Sequence, residues 1–199
     1  MRPLPVVVDN DSLIQLTRLN SDIPVFDKLR SVFSSIHIPQ KVIAEYEVGA
    51  AREPRRLEIL HKLSNRGLYW VNCTELDSFS IALVEGKKGI DEGEAEVYAQ
   101  SKKIRARYIL SEDKKFKKNI IELDPTVTVI SVIHLICFLD ITGHIDDWEN
   151  CAQKLHKLSP FNAGTLRKYY TEAARISGVN VSKKQMSAKC SLKKLGVIR

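Results

Sequence analysis

The sequence lacks a hydrophobic run that is long enough to cross a membrane. The apolar stretch at residues 129–139 is too short for a bilayer and is interrupted by Ser131 and His134. The residues after Met1 also lack the apolar region of a secretory signal peptide. These two absences predict a cytoplasmic protein that makes no contact with a membrane.

Cysteine and histidine residues with a recognisable spacing are also missing. The four cysteines form no CxxC motif, and no histidine lies at zinc-finger spacing from any of them. A disulfide framework is not expected in a chain without a secretory signal, so we expect free thiols. The five histidines show no metal-ligand spacing, which argues against a nuclease mechanism based on histidine.

Acidic residues are absent from position 175 to the end of the sequence. That segment holds seven lysines and arginines, which equal the whole net charge of +7, so residues 1–174 are neutral overall. A basic segment favours a polyanion because binding releases counterions. We therefore predict a domain over residues 1–174 and a basic, poorly ordered tail over residues 175–199. Lys183 and Lys184 are candidate nucleic-acid contacts in this tail, although a merely solubilising tail would carry the same charge.

Short apolar runs alternate with amphipathic segments along most of the chain. The runs that predict strands are residues 5–9, 36–38, 68–71, 108–110 and 127–130. Helical periodicity predicts helices between these runs and after the last of them. Strands that alternate with helices are typical of an α/β fold, in which right-handed crossovers join the strands of a mostly parallel sheet.

Carboxylates stand at the ends of two predicted strands and on two predicted helices. Asp9 ends the first strand, Asp113 follows the fourth, Glu45 lies in the helix after Pro39, and Glu94 lies near the start of a later helix. Ligands bind at the carboxyl ends of strands in open α/β sheets. Carboxylates gathered there would repel one another unless a cation neutralised them, and such hard oxygen ligands suit Mg²⁺ or Mn²⁺. The pattern predicts a metal-dependent enzyme that acts on phosphate.

The third of these positions has three candidates, namely Asp91, Glu94 and Glu96. Asp91 and Glu94 are three residues apart and share a helix face, whereas Glu96 points elsewhere. We therefore favour Glu94 and keep Asp91 as a further candidate metal ligand. Asp11, two residues after Asp9, is another candidate.

Four motifs occur in a characteristic order. They are Val7-Val8-Asp9 followed by Leu13-Ile14, Pro39-x-x-Val42-x-x-Glu45, Asp91-x-Gly93-Glu94-Ala95-Glu96, and Ser111-x-Asp113-x-x-Phe116. In order and spacing they resemble the PIN domain, and within it the VapC-like toxins and their single-domain prokaryotic relatives. The resemblance covers residues 6–174. Asp11 departs from the pattern, because the family often has Asn, Ser or Thr there.

The resemblance implies a three-layer α/β/α sandwich and a metal-dependent endoribonuclease that acts on RNA. It implies that Asp9, Glu45, Glu94 and Asp113 form the catalytic, metal-binding site. It also suggests the toxin of a toxin–antitoxin pair, with a cognate antitoxin protein as partner. A homodimer is implied as well. Candidates for its interface are Leu29, Val32 and Phe33, although burial in the core explains these three residues equally well.

The chemistry of phosphodiester hydrolysis fits these residues independently of the resemblance. The reaction needs an activated water, neutralised non-bridging oxygens and a stabilised leaving oxygen, and one or two divalent ions held by carboxylates can meet all three needs. Ser12 and Ser111 are candidates for orienting ligands or waters. Lys114 and Lys115, which follow Asp113 directly, are candidate contacts to the nucleic-acid backbone.

Two other functions remain open from the sequence. Asp9-Asn10-Asp11 after an apolar strand is similar to the first motif of haloacid-dehalogenase-like phosphatases, in which Asp9 would be the nucleophile. That hypothesis leaves Glu45 unexplained, and no later apolar strand ends in paired acids. The second alternative is a non-catalytic PIN-like binding module, which metal-binding measurements would separate from an active nuclease.

Overall fold

The chain divides into two compact units, Met1–Ser131 and Val132–Arg199. The structure is a computed structural model that describes residues 4–20, 24–51, 53–65, 67, 70–72, 78–85, 87, 90–192 and 194–197. The boundary that the sequence predicts after residue 174 stays a prediction, and the division into compact units falls elsewhere, before the strongly apolar helix Val132–Ile141. The physical reason is that this helix packs against a later helix of the second unit, Ala163–Ser177.

The first unit is built on a five-stranded parallel sheet. Its strands are β1 (Val6–Val8), β2 (Ile36–Pro39), β3 (Trp70–Asn72), β4 (Tyr108–Leu110) and β5 (Thr128–Ile130), in the order β3-β2-β1-β4-β5. Each coincides with a predicted apolar run, except that residues 68 and 69 of the third run lie outside the described residues. The α/β prediction is confirmed, and the sheet with its surrounding helices is consistent with a PIN-like α/β/α fold.

Helices cover the two faces of this sheet. They are α1 (Asn10–Asn20), α2 (Val25–Arg30), α3 (Gln40–Ala50), α4 (Pro54–Asn65), α5 (Ser78–Glu85), α6 (Glu92–Lys103) and α7 (Lys114–Leu123). The predicted helix starts at residues 52 and 77 lie outside the described residues. Right-handed crossovers place α1 to α4 on one face and α5 to α7 on the other. This covering explains why β1 is an unbroken run of fully buried valines, as is usual for a central parallel strand.

The strand order creates a topological switch point beside β1. From β1 the chain moves outward through β2 and β3 on one side, and from β4 it moves outward to β5 on the other. The helices that follow β1 and β4 therefore leave on opposite faces and open a crevice at the carboxyl ends of these two strands. In folds of this class that crevice is the expected position of a ligand.

The apolar residues around α2 serve the core of the first unit. Leu29 and Phe33 are buried within the protomer, and Val32 is half-buried. Of the two explanations open from the sequence, burial in the core accounts for Leu29 and Phe33. These side chains are therefore not an exposed surface for a dimer.

The second unit consists of α8 (Val132–Ile141), α9 (Trp148–Leu158), α10 (Ala163–Ser177) and α11 (Lys183–Lys189), within the described residues. We predict a poorly ordered tail over residues 175–199, whereas α10 continues to Ser177 and α11 begins at Lys183 with a capping box between Ser182 and Gln185. The indole N–H of Trp148 donates to the carbonyl oxygen of Lys189 (3.0 Å), and Cys190 and Leu195 are buried. Local capping and burial of these few side chains order a segment that has little periodicity.

Two further predictions concern the state of the cysteines and the presence of membrane-spanning helices. Cys137, Cys151 and Cys190 are buried free thiols, and Cys73 lies outside the described residues. Across the described ranges, no helix is both long enough and apolar enough to span a bilayer.

Candidate active site

β1 delivers a carboxylate to the crevice between β1 and β4. Asp9 follows β1 directly, and its backbone N–H donates to the carbonyl oxygen of Leu110 at the end of β4 (2.9 Å). Asp9 is only 8% exposed. Its Oδ1 accepts from the backbone N–H of Asn10 (2.7 Å), and its Oδ2 accepts from the hydroxyl of Ser111 (2.9 Å). Hydrogen bonds to both oxygens hold this carboxylate in one orientation.

Burial makes the negative charge of Asp9 costly. It raises the pKa of Asp9 from 3.8 to about 6, and the hydrogen bonds from Ser111 and Asn10 offset only part of this rise. The negative charges of Asp11 and Asp91 raise the pKa further. A buried carboxylate whose main charged neighbours are other carboxylates would be stabilised by a cation.

Ser111 links the ends of β1 and β4. It follows β4 and is buried, and while it donates to Asp9 its Oγ also accepts from the backbone N–H of Asp113 (3.2 Å). Asp113 caps α7, because its Oδ1 accepts from the backbone N–H groups of Lys115 and Phe116. The structure records no hydrogen bond to Oδ2 of Asp113 from any described residue. That second oxygen is therefore available to a ligand.

The start of α6 adds two more carboxylates. Asp91 and Glu94 form a capping box, in which the N–H of Glu94 donates to Asp91 Oδ1 (2.8 Å) and the N–H of Asp91 donates to Glu94 Oε2 (3.1 Å). Burial raises the pKa of Glu94 to about 7, and the charges of Asp91, Asp113 and Asp9 add to the rise. These couplings join Glu94 to the acids at the ends of β1 and β4.

Glu45 reaches the same region from α3, which packs against α6. The approach is close because Gly93 has no side chain, and a Cβ added at Gly93 would lie 2.9 Å from Oε1 of Glu45. Burial raises the pKa of Glu45, the charge of Asp91 raises it further, and Lys41 opposes the rise. The carboxylate of Glu45 therefore lies against the first turn of α6, one residue before Glu94.

Glu92 and Glu96, the other acids of α6, contact Lys41 at the start of α3. Glu96 Oε2 accepts from the backbone N–H of Lys41 (3.4 Å), and Glu92 forms an ion pair with Lys41 Nζ (2.7 Å). Their charges are not among the main ones that act on Asp9. Of the two candidates, Glu94 is the one whose pKa is raised by the charge of Asp9. The structure therefore favours Glu94 over Glu96 as the neighbour of Asp9.

The first turn of α1 holds polar oxygens close to Asp9 in the chain. Asp11 is exposed, and its charge raises the pKa of Asp9. Ser12 is fully buried, and its hydroxyl has no hydrogen-bond partner among the described residues. Oδ1 of Asn10 is likewise buried without a partner in the described part of the chain. Buried oxygens of this kind are explained when a water or an ion completes their contacts.

This geometry can be compared with known proteins. A family model described as a PIN domain matches residues 5–172, a range that includes the whole sheet and all four acids. The chain belongs to the PIN-domain family. Comparison with curated proteins gives no match. PIN domains are generally nucleases, and they typically use divalent metal ions. The match leaves the phosphatase hypothesis, with Asp9 as nucleophile, without support.

The lysines that were predicted to contact nucleic acid lie in different units of this PIN-domain protein. Lys114 and Lys115 are exposed in the first turn of α7, directly after Asp113. Lys183 and Lys184 are exposed in α11 of the second unit. Of these lysines, only Lys114 and Lys115 therefore lie beside one of the four acids in the same helix start.

The donor set of this PIN domain suits a hard divalent ion. Within the described residues, no three His, Cys, Asp or Glu side chains already converge into a metal centre. The pKa values of Asp9 and Glu94, raised to about 6 and about 7, nevertheless mark buried carboxylates whose charge is uncompensated. Carboxylate oxygens in this condition fit Mg²⁺ or Mn²⁺. Asp9, Glu94 and Asp113 would hold such an ion, with Glu45 beside them.

Gly93 has a structural role at the site that the residue pattern alone did not reveal. Glycine inside a helix costs about 1 kcal/mol relative to alanine, so a glycine in the first turn of α6 indicates a packing requirement. Here the requirement is the approach of Glu45. The glycine was a visible signal, but its meaning depended on knowing that α3 meets α6.

Proposed function

We propose that this PIN domain is a divalent-metal-dependent endoribonuclease that hydrolyses phosphodiester bonds of RNA. The main support is that Ser111 hydrogen-bonds both to the carboxylate of Asp9 and to the backbone N–H of Asp113 at the switch point of the sheet. The charges of these two acids also act on Glu94 at the start of α6. The main charges that act on Asp9 and Glu94 are those of other carboxylates. This uncompensated negative charge attracts a cation, whereas it would repel a phosphate group that arrived without one.

Each residue has a distinct part in the proposal. Asp9, Glu94, Asp113 and Glu45 bind Mg²⁺ or Mn²⁺, and Ser111 orients Asp9 through the hydrogen bond to Oδ2. Asp113 uses Oδ1 to cap α7, which leaves Oδ2 for the ion. The bound ion would neutralise the non-bridging phosphate oxygens and lower the pKa of an attacking water.

The remaining predicted residues lie at the edge of this group. Asp91 is fixed in the capping box with Glu94, and Asp11 is exposed, so we assign both to the outer part of the ion's surroundings. Ser12 offers a buried hydroxyl that a bound water would satisfy. Lys114 and Lys115 are exposed beside Asp113 and would hold phosphates of the RNA that flank the scissile bond.

The decisive experiment measures cleavage of single-stranded RNA by the purified protein. We expect cleavage with Mg²⁺ or Mn²⁺ and none with EDTA. Asp9→Asn and Asp113→Asn should each lower the rate by more than about 100-fold. Removing a residue that only supports a metal ligand typically costs about 10–100-fold, so a larger loss indicates a direct ligand. Glu47→Gln is the matched control, because Glu47 lies on α3 two residues after Glu45 and is exposed.

Two results would contradict the assignment. Unchanged cleavage by both Asn variants would exclude these carboxylates from the chemistry. Binding of Mn²⁺ in calorimetry without cleavage of any RNA would instead support the non-catalytic binding module.

A role as the toxin of a toxin–antitoxin pair is a narrower proposal that rests on the resemblance to VapC-like proteins. It predicts that expression of the protein in the cytoplasm arrests growth, and that Asp9→Asn relieves the arrest. The gene beside this one should then encode a small antitoxin that suppresses the arrest. If growth is equally slow with Asp9→Asn, the toxicity does not come from RNA cleavage.

A homodimer is also proposed from the resemblance. Light scattering should then report about twice the chain mass of 22.6 kDa. Val48 on α3 is 80% exposed, the largest value among the exposed large apolar side chains of the described residues. Val48→Ser is therefore the first substitution with which to weaken a dimer.

Nucleic-acid contact by the basic C-terminal segment is tested by substitution and not by deletion. Deletion of the segment would remove Cys190 and Leu195, which are buried in the second unit. Lys183→Gln with Lys184→Gln removes two exposed charges and leaves that packing intact. If these lysines contact RNA phosphates, the double variant should bind RNA with a flatter salt dependence.

A further inference from the structure

A basic depression lies at the end of the sheet opposite the candidate active site. Its volume is about 540 Å³, and its lining includes Lys102, Arg105, Arg107, Pro125 and Thr126. Arg107 stands immediately before β4, and the Pro125 loop leads into β5. The depression therefore belongs to the amino-terminal ends of these strands, whereas the acids follow their carboxyl ends.

One wall of the depression is held by a buried acid. Asp124 accepts from Lys102 Nζ (2.6 Å), from Tyr98 OH (3.4 Å) and from the backbone N–H of Thr126 (3.0 Å). Burial alone would raise the pKa of Asp124, but the hydrogen bonds from Lys102 and Thr126 outweigh it and hold this pKa at about 2. Lys102 is therefore committed to Asp124, and its charge is largely neutralised within the wall.

Arg105 occupies a backbone position that favours glycine. The N–H of Ala106 donates to the carbonyl oxygen of Ser101 and the N–H of Arg105 donates to that of Lys102, which is the Schellman pattern at the end of a helix. Arg105 is the residue of this pattern that must be left-handed, and its φ is +55°. Glycine is usual there because a side chain is strained. An arginine at this position points to a use for its charge.

Arg105 and Arg107 are the uncompensated charges of the depression. Both are exposed, and neither side chain has an ion-pair or hydrogen-bond partner among the described residues. Cations at the end of a helix also interact favourably with its dipole, which could account for Lys102, Lys103 and Arg105. The dipole does not account for Arg107, which stands immediately before β4. Two unpaired guanidinium groups beside a depression suit phosphate groups.

The position of α7 connects this depression with the candidate active site. The helix begins next to Asp113 and ends next to Asp124, and its ten residues correspond to roughly 15 Å. Its first turn carries the exposed Lys114 and Lys115. A strand of RNA that lies along α7 would thus have cations near the site of cleavage and again at the far end of the helix.

We propose that the depression with Arg105 and Arg107 binds phosphates of the RNA strand at a distance from the bond that is cleaved. This inference rests on the proposed function for the identity of the polyanion. The two arginines would contribute affinity through phosphates and no sequence specificity, because phosphate contacts position the strand without reading its bases.

The test measures binding of a fluorescein-labelled single-stranded RNA by anisotropy in EDTA, where cleavage cannot interfere. Arg105→Gly combined with Arg107→Gln should flatten the slope of log affinity against log salt by about 1.4, which is two phosphates at about 0.7 each. If the two proteins bind RNA equally well at 1 M salt, this difference in slope makes the affinity of the variant roughly 25-fold lower than that of the wild type at 0.1 M salt. The melting temperature should stay the same or rise, because glycine fits the left-handed position.

The matched control removes two exposed arginines elsewhere in the first unit, with Arg30→Gln on α2 and Arg55→Gln on α4. The salt slope of this control should remain close to that of the wild type. Inorganic phosphate at low millimolar concentration should not displace the RNA, since one free phosphate lacks the linked charges of a strand. Displacement by inorganic phosphate would overturn the proposal in favour of a site for a small anion.

Failure of this proposal can be distinguished from failure of the proposed function. If the variant without Arg105 and Arg107 binds RNA with an unchanged salt slope while the wild type still cleaves it, the depression is not an RNA site, and a protein partner with acidic residues becomes the better explanation. If the wild type never cleaves RNA but its binding depends on both arginines, the depression is supported and the nuclease assignment is not.

Discussion

Two buried aspartates of the first unit differ sharply in how their charge is treated. Asp9 and Asp124 are each 8% exposed. Asp124 has Lys102 at 2.6 Å, and its pKa is held at about 2. Asp9 has hydrogen bonds from Ser111 and Asn10 but carboxylates as its main charged neighbours, and its pKa is raised to about 6. The two residues are equally exposed, yet their pKa values shift in opposite directions. Two causes contribute, because the carboxylate of Asp9 is the more deeply enclosed of the two and only Asp124 has a lysine as its partner.

The difference shows which of the two carboxylates has only a structural task. The pair of Asp124 with Lys102 ties the end of α6 to the loop before β5, so its charge is used within the fold. At the switch point the fold gathers further acids around Asp9 instead of a lysine. Because a buried charge without a counter-charge lowers stability, such a cluster is more typical of a functional site than of a structural one.

The largest expected effect is on the stability of the metal-free protein at pH 8. The rise in the pKa of Asp9 from 3.8 to about 6 corresponds to roughly 3 kcal/mol, so Asp9→Asn should raise the free energy of unfolding by up to that amount. Asp124→Asn should lower it by about 1–2 kcal/mol, because Lys102 loses its partner. Urea denaturation in EDTA measures both values. A shift of both variants in the same direction would contradict the comparison.

The same pair predicts a characteristic dependence on pH. Folded Asp9 holds its proton more tightly than the unfolded chain, so its contribution is most favourable below its ordinary pKa of 3.8 and is lost as the pH rises through about 6. Glu94 extends this loss to about pH 7. For Asp124 the sign is opposite, and its stabilisation is lost as the pH falls from 3.8 toward about 2. Mg²⁺ should restore the stability of the wild type above neutral pH, and it should have little effect on Asp9→Asn.

A smaller effect is expected when the link between β1 and β4 is cut. Ser111→Ala removes the hydroxyl that donates to Asp9 and accepts from Asp113. Loss of an outer partner of this kind typically lowers metal affinity about 10–100-fold. The Mn²⁺ concentration for half-maximal cleavage should rise accordingly, while the rate at saturating Mn²⁺ recovers most of its value.

The matched control for that change is Ser101→Ala, because Ser101 is a buried serine whose hydroxyl donates to the backbone of Tyr98. Ser101 lies in α6, at the end of the helix away from Asp91. Its loss should leave the Mn²⁺ requirement unchanged. An equal shift in both serine variants would show that the effect of Ser111 is one of general stability.

Much of the sheet could be predicted because its physical signal is local. A parallel strand buried on both faces is apolar throughout, so Val6, Val7 and Val8 identify β1 without any knowledge of its neighbours. The order of the acids along the chain was also local information, since Asp9 follows β1 directly and Asp113 stands between the end of β4 and the start of α7. The structure places these two on either side of Ser111.

What could not be predicted depends on contacts between distant parts of the chain or on very short elements. No residue of α11 is buried, so the helix has no apolar periodicity, and the order of its segment comes from capping and from Trp148. Leu29 and Phe33 show the converse, since an apolar face alone does not reveal whether it meets the core or a second protein. The position of Glu45 against Gly93 depends on how α3 packs against α6.

The contact between Glu45 and Gly93 gives the smallest expected effect, and it separates what packing requires from what metal binding requires. Gly93→Ala places a Cβ 2.9 Å from Oε1 of Glu45, and the flexible end of Glu45 must then move. The fold should keep its stability or gain up to about 1 kcal/mol, because alanine is the better helix former. Cleavage at limiting Mn²⁺ should nevertheless fall, since a displaced carboxylate binds the ion less well.

Gly49→Ala on α3 provides the comparison that isolates this contact. A Cβ at Gly49 meets no atom within 4 Å, so the substitution improves helix propensity without touching Glu45. Its stability should rise as for Gly93→Ala, and its Mn²⁺ requirement should match that of the wild type. If both alanine variants cleave RNA normally, the close approach of Glu45 to α6 serves packing only. Glu45 would then leave the metal site, with Asp9, Glu94 and Asp113 as the remaining ligands.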